Sequence, residues 1–393
     1  MMARNQFRII VGSYEHNILC LSIDLSLSTP VFTPIFHFQA HTLSVKCLDI
    51  SGRYLVSGSN DENIRIYDLQ KRKELGTLLA HQGSITALKF SNRATDNQEE
   101  TVSVSGKKAP AGKWLLSASE DNHVIVWRVK DWENFGTLKG HTARINDVDI
   151  HPSNRIAISV SEDHSIRLWN LMTVKKAAVL KLKNYSQNAQ FVRWLGQDGA
   201  YFAAALLNKV LIYKTSTAKV HSEIDLGRLS VMHIERTTID GEDYLAVGLS
   251  NGRVNFYTAK SLYEENIKDV QPVFDLLGHT NRIKDFKFYE NECGSYLVTI
   301  GSDGKVIVWD LNKREQLAVY DAGERLNCLA ICDEATEKYE TINKREATIE
   351  IDEQSEVEHD VEELKQEMFG KTRKKSNKHK KRKGNKKVSI EME

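Results

Sequence analysis

The chain has 393 residues, with 54 Lys or Arg against 53 Asp or Glu, a formal charge of +1 at pH 7. Its longest apolar run, Tyr201 to Leu207, is too short to span a bilayer, and no secretory hydrophobic region precedes the first strand pattern. The five cysteines (Cys20, Cys47, Cys293, Cys328, Cys332) stand singly, without Cys-x-x-Cys or paired histidines at zinc spacing. These features predict a soluble intracellular protein in a reducing compartment, with no metal, no cofactor and no membrane insertion.

In chain order, short β-branched or aromatic segments bounded by Gly, Asn, Asp or Ser predict strands throughout the first 335 residues, with almost no helical periodicity. Ala-His or Gly-His recurs at Ala40-His41, Ala80-His81, Gly140-His141 and Gly278-His279, each followed later by an aromatic strand end. Tyr67, Trp127, Trp169 and Trp309 are equivalent anchors in Ile-Arg-Ile-Tyr, Ile-Val-Trp, Ile-Arg-Leu-Trp and Val-Ile-Val-Trp. Tyr213 and Tyr257 fill the gap between Trp169 and Trp309, and Leu21 aligns as a seventh anchor. The anchor spacings are 46, 60, 42, 44, 44 and 52, and the long one contains a polar insertion, Ser91 to Lys113.

This is the pattern of WD repeats, and it predicts an all-β, seven-bladed propeller. The first repeat lacks its innermost strand, and a strand over 326–332 has no complete repeat after it, so the two ends are expected to share one blade. The ring is therefore drawn over residues 1–335. Residues 338–353 alternate enough for an extra strand or are unfolded.

Three repeats carry a hydroxyl, His and Asp set: His81, Ser117 and Asp121; His141, Ser159 and Asp163; His279, Thr299 and Asp303. Such sets serve nucleophilic enzymes when the geometry assigns them those roles. Here each set ends on its own tryptophan, Trp127, Trp169 or Trp309, at one fixed spacing. A catalytic site has no need of three copies, whereas a buried hydrogen-bond network repeated in each blade does, so the sets are read as structural and no catalytic residue is assigned.

Residues just after each Gly-His position are expected to border the narrow mouth of the ring. Lys46, Arg144, Asn146, Arg282, Lys284, Arg325 and Asn327 are the candidate partner-binding rim, suited to an acidic protein segment or an RNA backbone.

The near-zero charge conceals a division. Lys371, Arg373, Lys374, Lys375, Lys378, Lys380, Lys381, Arg382, Lys383, Lys386 and Lys387 fall in one run without an acid, and the rest of the chain holds 43 basic against 53 acidic residues. Residues 371–393 are therefore expected to be a disordered basic tail that directs nuclear import or contacts RNA phosphates. Residues 336–370 form an acidic linker in which Val361, Leu364, Met368 and Phe369 fit one short amphipathic docking helix.

Several stretches together resemble one family. They are Val11-Gly-Ser-Tyr-Glu-His, His41-Thr-Leu-Ser-Val-Lys-Cys-Leu, Gly58-Ser-Asn-Asp-Glu-Asn-Ile-Arg-Ile-Tyr-Asp-Leu, Lys183-Asn-Tyr-Ser-Gln-Asn-Ala and the Lys-rich tail. The chain is similar, over almost its whole length, to the fungal maintenance-of-killer factors and the animal p21-activated-kinase-interacting proteins. The resemblance implies a nucleolar, noncatalytic assembly factor of the large (60S) ribosomal subunit. Its partners would be pre-60S particles, ribosomal-protein-like assembly factors and pre-rRNA. For the animal relatives it also implies a regulator that binds and inhibits a p21-activated kinase, which is the alternative reading for this chain.

Overall fold

Seven four-stranded antiparallel sheets form the blades of a propeller in the computed structural model, which describes residues 5–27, 29–91, 112–196, 198–264 and 270–336. The chain divides into two units, Met1–Glu337 and Lys338–Glu393, and the described residues all belong to the first. The insertion expected over 91–113 falls almost wholly outside them. So do the acidic linker, the short docking helix, the strand considered at 338–353 and the basic tail.

From the channel outward, blade two is Val45–Ser51, Tyr54–Ser59, Ile64–Asp68 and Lys73–Leu78; blade three is Ile85–Phe90, Trp114–Ser119, His123–Arg128 and Glu133–Lys139. Blade four is Ile145–Ile150, Ile156–Ser161, Ser165–Asn170 and Lys175–Lys181; blade five is Phe191–Leu195, Tyr201–Ala205, Lys209–Lys214 and Lys219–Asp225. Blade six is Val231–Ile239, Glu242–Leu249, Arg253–Thr258 and Phe274–Leu277; blade seven is Ile283–Asn291, Gly294–Gly301, Lys305–Asp310 and Glu315–Asp321. Blade one joins the two ends: Leu326–Asp333 is its inner strand, followed by Gln6–Ser13, Asn17–Asp24 and Val31–Gln39. Inner strands of consecutive blades pack side by side around the whole circle.

The hydrophobic core is divided into radial slabs. Seven clusters of buried apolar residues are found among the described residues, and each spans one interface between neighbouring blades. A sheet with two apolar faces cannot bury both alone, and stacking it between two others does so. Tyr67, Trp127, Trp169, Tyr213, Tyr257 and Trp309 each enter the slab shared with the preceding blade. The outermost strands, such as Lys73–Leu78 and Lys175–Lys181, are largely exposed along their length.

At six of the seven anchors the pairing of the third strand with the fourth shifts by one residue. A bulge of this kind re-aims the side chain while the ladder continues. At Tyr257 no shift is seen, and a helix, α1 (Ala259–Tyr263), leaves the blade instead, capped by the Thr258 hydroxyl. This short helix was not signalled by the sequence pattern, because five residues carry too little periodicity to register.

Closure of the ring depends on close approach and on one ion pair. A Cβ on Gly12 would stand 2.6 Å from Cys328 Sγ and 2.7 Å from Val45 Cγ1, so a bare backbone is needed where three strands converge. Glu334, just beyond the inner strand of blade one, accepts hydrogen bonds from Arg8 Nη2 at 2.9 Å and Ser22 Oγ at 2.8 Å, tying the end of the described chain to its beginning.

Candidate functional site: the mouth and channel of the ring

The repeated His sets come together in space. In blade four, His141 Nδ1 lies 2.8 Å from Asp163 Oδ2, His141 Nε2 lies 2.8 Å from Ser159 Oγ, and Trp169 Nε1 donates to the same oxygen at 2.8 Å. Blade three repeats this with His81, Asp121, Ser117 and Trp127, all at 2.8 Å. Blade seven does so with His279, Asp303, Thr299 and Trp309 at 2.9 to 3.1 Å. One proton assignment uses every group: Nδ1–H donates to the carboxylate, and Nε2 accepts from the hydroxyl, which accepts from the indole.

Ser117, Ser159 and Thr299 are at most 1% exposed, so no substrate reaches these oxygens. Each oxygen also accepts a buried indole N–H, which commits one of its two lone pairs to the fold. Each Asp further accepts the backbone N–H that follows its histidine, from Gln82, Thr142 and Thr280 at 3.1 to 3.2 Å. The network therefore holds the loop entering each blade against the turn between its second and third strands.

A fourth set was missed by sequence reasoning. His41 Nε2 lies 2.7 Å from Ser57 Oγ and its Nδ1 lies 3.0 Å from Asp61 Oδ2 in blade two. The signal was present, since Ser57, Asp61 and Tyr67 keep the spacing of Ser117, Asp121 and Trp127. Tyrosine in place of tryptophan concealed it. Burial pushes the His41, His141 and His279 imidazoles below their ordinary range, against the opposing pull of their aspartates. Burial favours the neutral acid for Asp121, but the hydrogen bond and charge of His81 and two backbone N–H groups outweigh it, bringing the carboxyl down to about 2.

The seven rim candidates do not form one uniform surface. Arg144 is exposed, but its guanidinium lies 3.3 Å from Glu120 and 3.6 Å from Glu162. Asn146 and Asn327 are half-buried and donate to the backbone carbonyls of Ala189 and Val45, at 2.8 and 3.0 Å, so their amides bridge neighbouring blades. This corrects the expectation that their side chains face outward to a partner: the inner strands are close enough for an amide to cross between them.

Lys46, Arg282, Lys284 and Arg325 remain. They belong to three consecutive blades, two, seven and one, and none has a carboxylate within ion-pair reach among the described residues. Arg282 Nε reaches Ser302 Oγ at 3.2 Å, and the Arg325 guanidinium sits 5.4 Å from the centre of the Tyr14 ring. The Lys284 ammonium is pushed below its ordinary range, first by burial and then by Arg282, Arg325 and Lys46. Positive charge is thus concentrated at one side of the mouth without an ion-pair partner among the described residues.

Deeper in the channel, charge is compensated. The fourth residue after the buried aliphatic that opens each inner segment is Asp49, Lys89, Asp149, Arg193, Glu235, Lys287 and Ala330, going round from blade two to blade one. The signs alternate. A ring of seven cannot alternate throughout, and the neutral Ala330 occupies the position where two like charges would otherwise meet. Lys89 Nζ lies 3.6 Å from Asp149, Arg193 Nε 3.4 Å from Glu235, and Lys287 Nζ 2.7 Å from Glu235. Burial raises the Glu235 carboxyl, but Lys287, Lys89 and Arg193 more than reverse this and hold it well below the usual range.

The same layer sews the blades together. Asp49 accepts the Phe90 N–H at 2.6 Å, Asp149 that of Trp194 at 2.8 Å, and Asp285, two residues before Lys287, that of Leu329 at 2.9 Å. Among the described residues no group of three or more His, Cys, Asp or Glu has the arrangement to hold a metal ion, and no helix is long and apolar enough to cross a membrane.

The WD domain, G-beta repeat family matches residues 32–68, 98–128, 132–170 and 270–310, which end in blades two, three, four and seven, the four that carry the His sets. "Protein MAK11" of Saccharomyces cerevisiae is 62% identical over 99% of both chains. The chain belongs to the WD-repeat family of MAK11 and the p21-activated kinase-interacting proteins. Within that family, "p21-activated protein kinase-interacting protein 1-like" of Gallus gallus is 33% identical over 82% of this chain and 79% of its own. "Shk1 kinase-binding protein 15" of Schizosaccharomyces pombe is 23% identical over 82% of this chain and 83% of its own. Family members at these distances match the ring length, and MAK11 matches the tail as well.

Proposed function

We propose that the protein is a noncatalytic scaffold in large ribosomal subunit assembly, held on pre-60S particles in the nucleolus by the mouth of its ring and its basic tail. The observation that carries this reading is the cluster of Lys46, Arg282, Lys284 and Arg325, without an ion-pair partner among the described residues, set in a ring whose repeated His, hydroxyl and Asp groups are all committed to holding loops. The Lys371 to Lys387 run supplies a second contact of the kind that phosphate backbones reward. Two weak contacts on one chain combine into avidity without either being tight. The resemblance of the whole chain to the maintenance-of-killer factors supports the choice of particle.

A second reading is favoured by the names of several relatives, which describe kinase-interacting or kinase-binding proteins. In it the ring binds and inhibits a p21-activated kinase and needs neither RNA nor tail. Affinity purification of the full chain and of a version ending before Lys371, both directed to the nucleus, separates the two. Precursor RNA of the large subunit with the full chain, diminished on truncation, supports the scaffold. A kinase recovered without ribosomal RNA overturns it.

A further inference from the structure

We infer that the cationic side of the mouth is a docking site for a short acidic segment of a partner protein, whose carboxylates meet Lys46, Arg282, Lys284 and Arg325 and whose apolar side chain covers Tyr14 and Leu43. This deepens the scaffold reading and rests on it for the identity of the particle, though not for the binding itself.

Two observations choose protein over RNA. Tyr14 and Leu43 are 55% and 47% exposed and flank the cations on blades one and two. A cluster made for phosphates alone gains nothing from Leu43, whereas a peptide alternating acidic and apolar side chains uses both.

The second observation is the distribution of acids. The turns between second and third strands lie on the same face, as the hydrogen bonds from His41 to Asp61 and from His141 to Asp163 require. In blades one to four those turns carry Glu15, Glu62, Glu120 and Glu162, all exposed. A polyanion laid across the mouth would run over these carboxylates. A segment of a few residues, rising about 3.3 Å per residue, ends before it reaches Glu120 and Glu162 in blades three and four. In the layer below, Lys89, Arg193 and Lys287 already have carboxylate partners in Asp149 and Glu235.

The test is fluorescence anisotropy on the purified full-length chain at physiological salt. The probes are a fluorescein-labelled peptide of glutamates around one leucine, the same peptide with every glutamate replaced by glutamine, and a single-stranded oligouridine. Lys284→Glu combined with Arg325→Glu is compared with Lys219→Glu on the outer strand of blade five, and melting temperatures establish that each variant folds. If the double variant does not fold, Arg325→Gln takes its place.

The acidic peptide is expected to lose about tenfold or more in affinity with the mouth variant and to be unchanged with Lys219→Glu. Oligouridine, held by the tail, is expected to bind both alike. The proposal is overturned if the mouth variant binds the acidic peptide as the unaltered chain does, or if oligouridine loses as much as the peptide, which would assign the mouth to RNA. Particle recovery without mouth-dependent peptide binding sinks this site and leaves the scaffold. Mouth-dependent peptide binding without particle recovery sinks the scaffold and leaves the site.

Discussion

Ser159 illustrates how one small side chain serves two larger ones. Its hydroxyl is the hydrogen-bond partner of both His141 Nε2 and Trp169 Nε1, in a place 1% exposed. Ser159→Ala leaves two buried polar groups unmet, and at ~1–3 kcal/mol for each such group the ring should lose about 3 kcal/mol, measured by chemical denaturation. The same networks set an acid limit. His41, His141 and His279 bind a proton less readily in the fold, where burial opposes the charged form, than in the unfolded chain, where they take one near pH ~6.5. The unfolded state therefore binds more protons below that pH, and stability falls as pH falls. Asp121, at about 2 in the fold, adds a further loss as pH drops through the ordinary carboxylate range towards 2. The melting temperature should be level above pH ~7 and decline from pH ~6.5 downward; a flat profile to pH 5 would contradict the weaker proton binding in the fold.

Which of these residues could be found in the sequence depends on how far apart their partners lie. The hydroxyl, Asp and Trp of one blade fall within a single hairpin, so their fixed spacing is visible in Ser117, Asp121 and Trp127. Tyr67 hid an equivalent set because a tyrosine stands where the other three sets end on tryptophan. Arg144 could not be resolved this way, since Glu120 and Glu162 come from turns in two different blades. The outward placement expected for Asn146 and Asn327 failed for the same reason: their carbonyl partners belong to the next blade, more than forty residues away in one case and at the other end of the chain in the second.

At the scale of elements, the inner strands are more than repeats of one apolar template. Each contributes one member to the layer Asp49, Lys89, Asp149, Arg193, Glu235, Lys287 and Ala330, and no pair of these is close in sequence. Their alternation emerges only when the register of seven sheets is known. Glu235 faces Arg193 on one side and Lys287 on the other. Glu235→Gln leaves those cations with less negative charge in a half-enclosed channel and should cost about 3 kcal/mol, read as a shift in the denaturation midpoint with unchanged slope. An equal midpoint would show the layer to be solvent-screened. The seven anchors were legible for the opposite reason, since each is an apolar or aromatic residue of the third strand and four of the six intervals between them are 42 to 46 residues. α1 was not, because its cause is a local departure after Tyr257 where the other blades bulge.

For the whole molecule, closure is the condition on which everything else depends. The inner strand of blade one arrives last, at Leu326–Asp333, and covers both Gln6–Ser13 and the flank of Val45–Ser51. A chain ending before Arg325 exposes the slabs on both sides of blade one and removes Arg325 from the mouth, so it should not unfold cooperatively. A single sharp transition from such a truncation would show the ring to be stable while open. Closure also gathers Lys46, from an early blade, beside Arg282, Lys284 and Arg325 from the last ones, which makes the mouth a property of the closed ring and of no single repeat.

The scaffold reading is tested most directly by the amount of large-subunit precursor RNA that co-purifies with the chain and with its Arg282→Glu, Lys284→Glu, Arg325→Glu variant from the same cells. The account predicts that the unaltered chain recovers this RNA and that the folded variant recovers about a tenth as much, because one of two linked contacts is lost. Equal recovery by the two, or no precursor RNA with either, would contradict it.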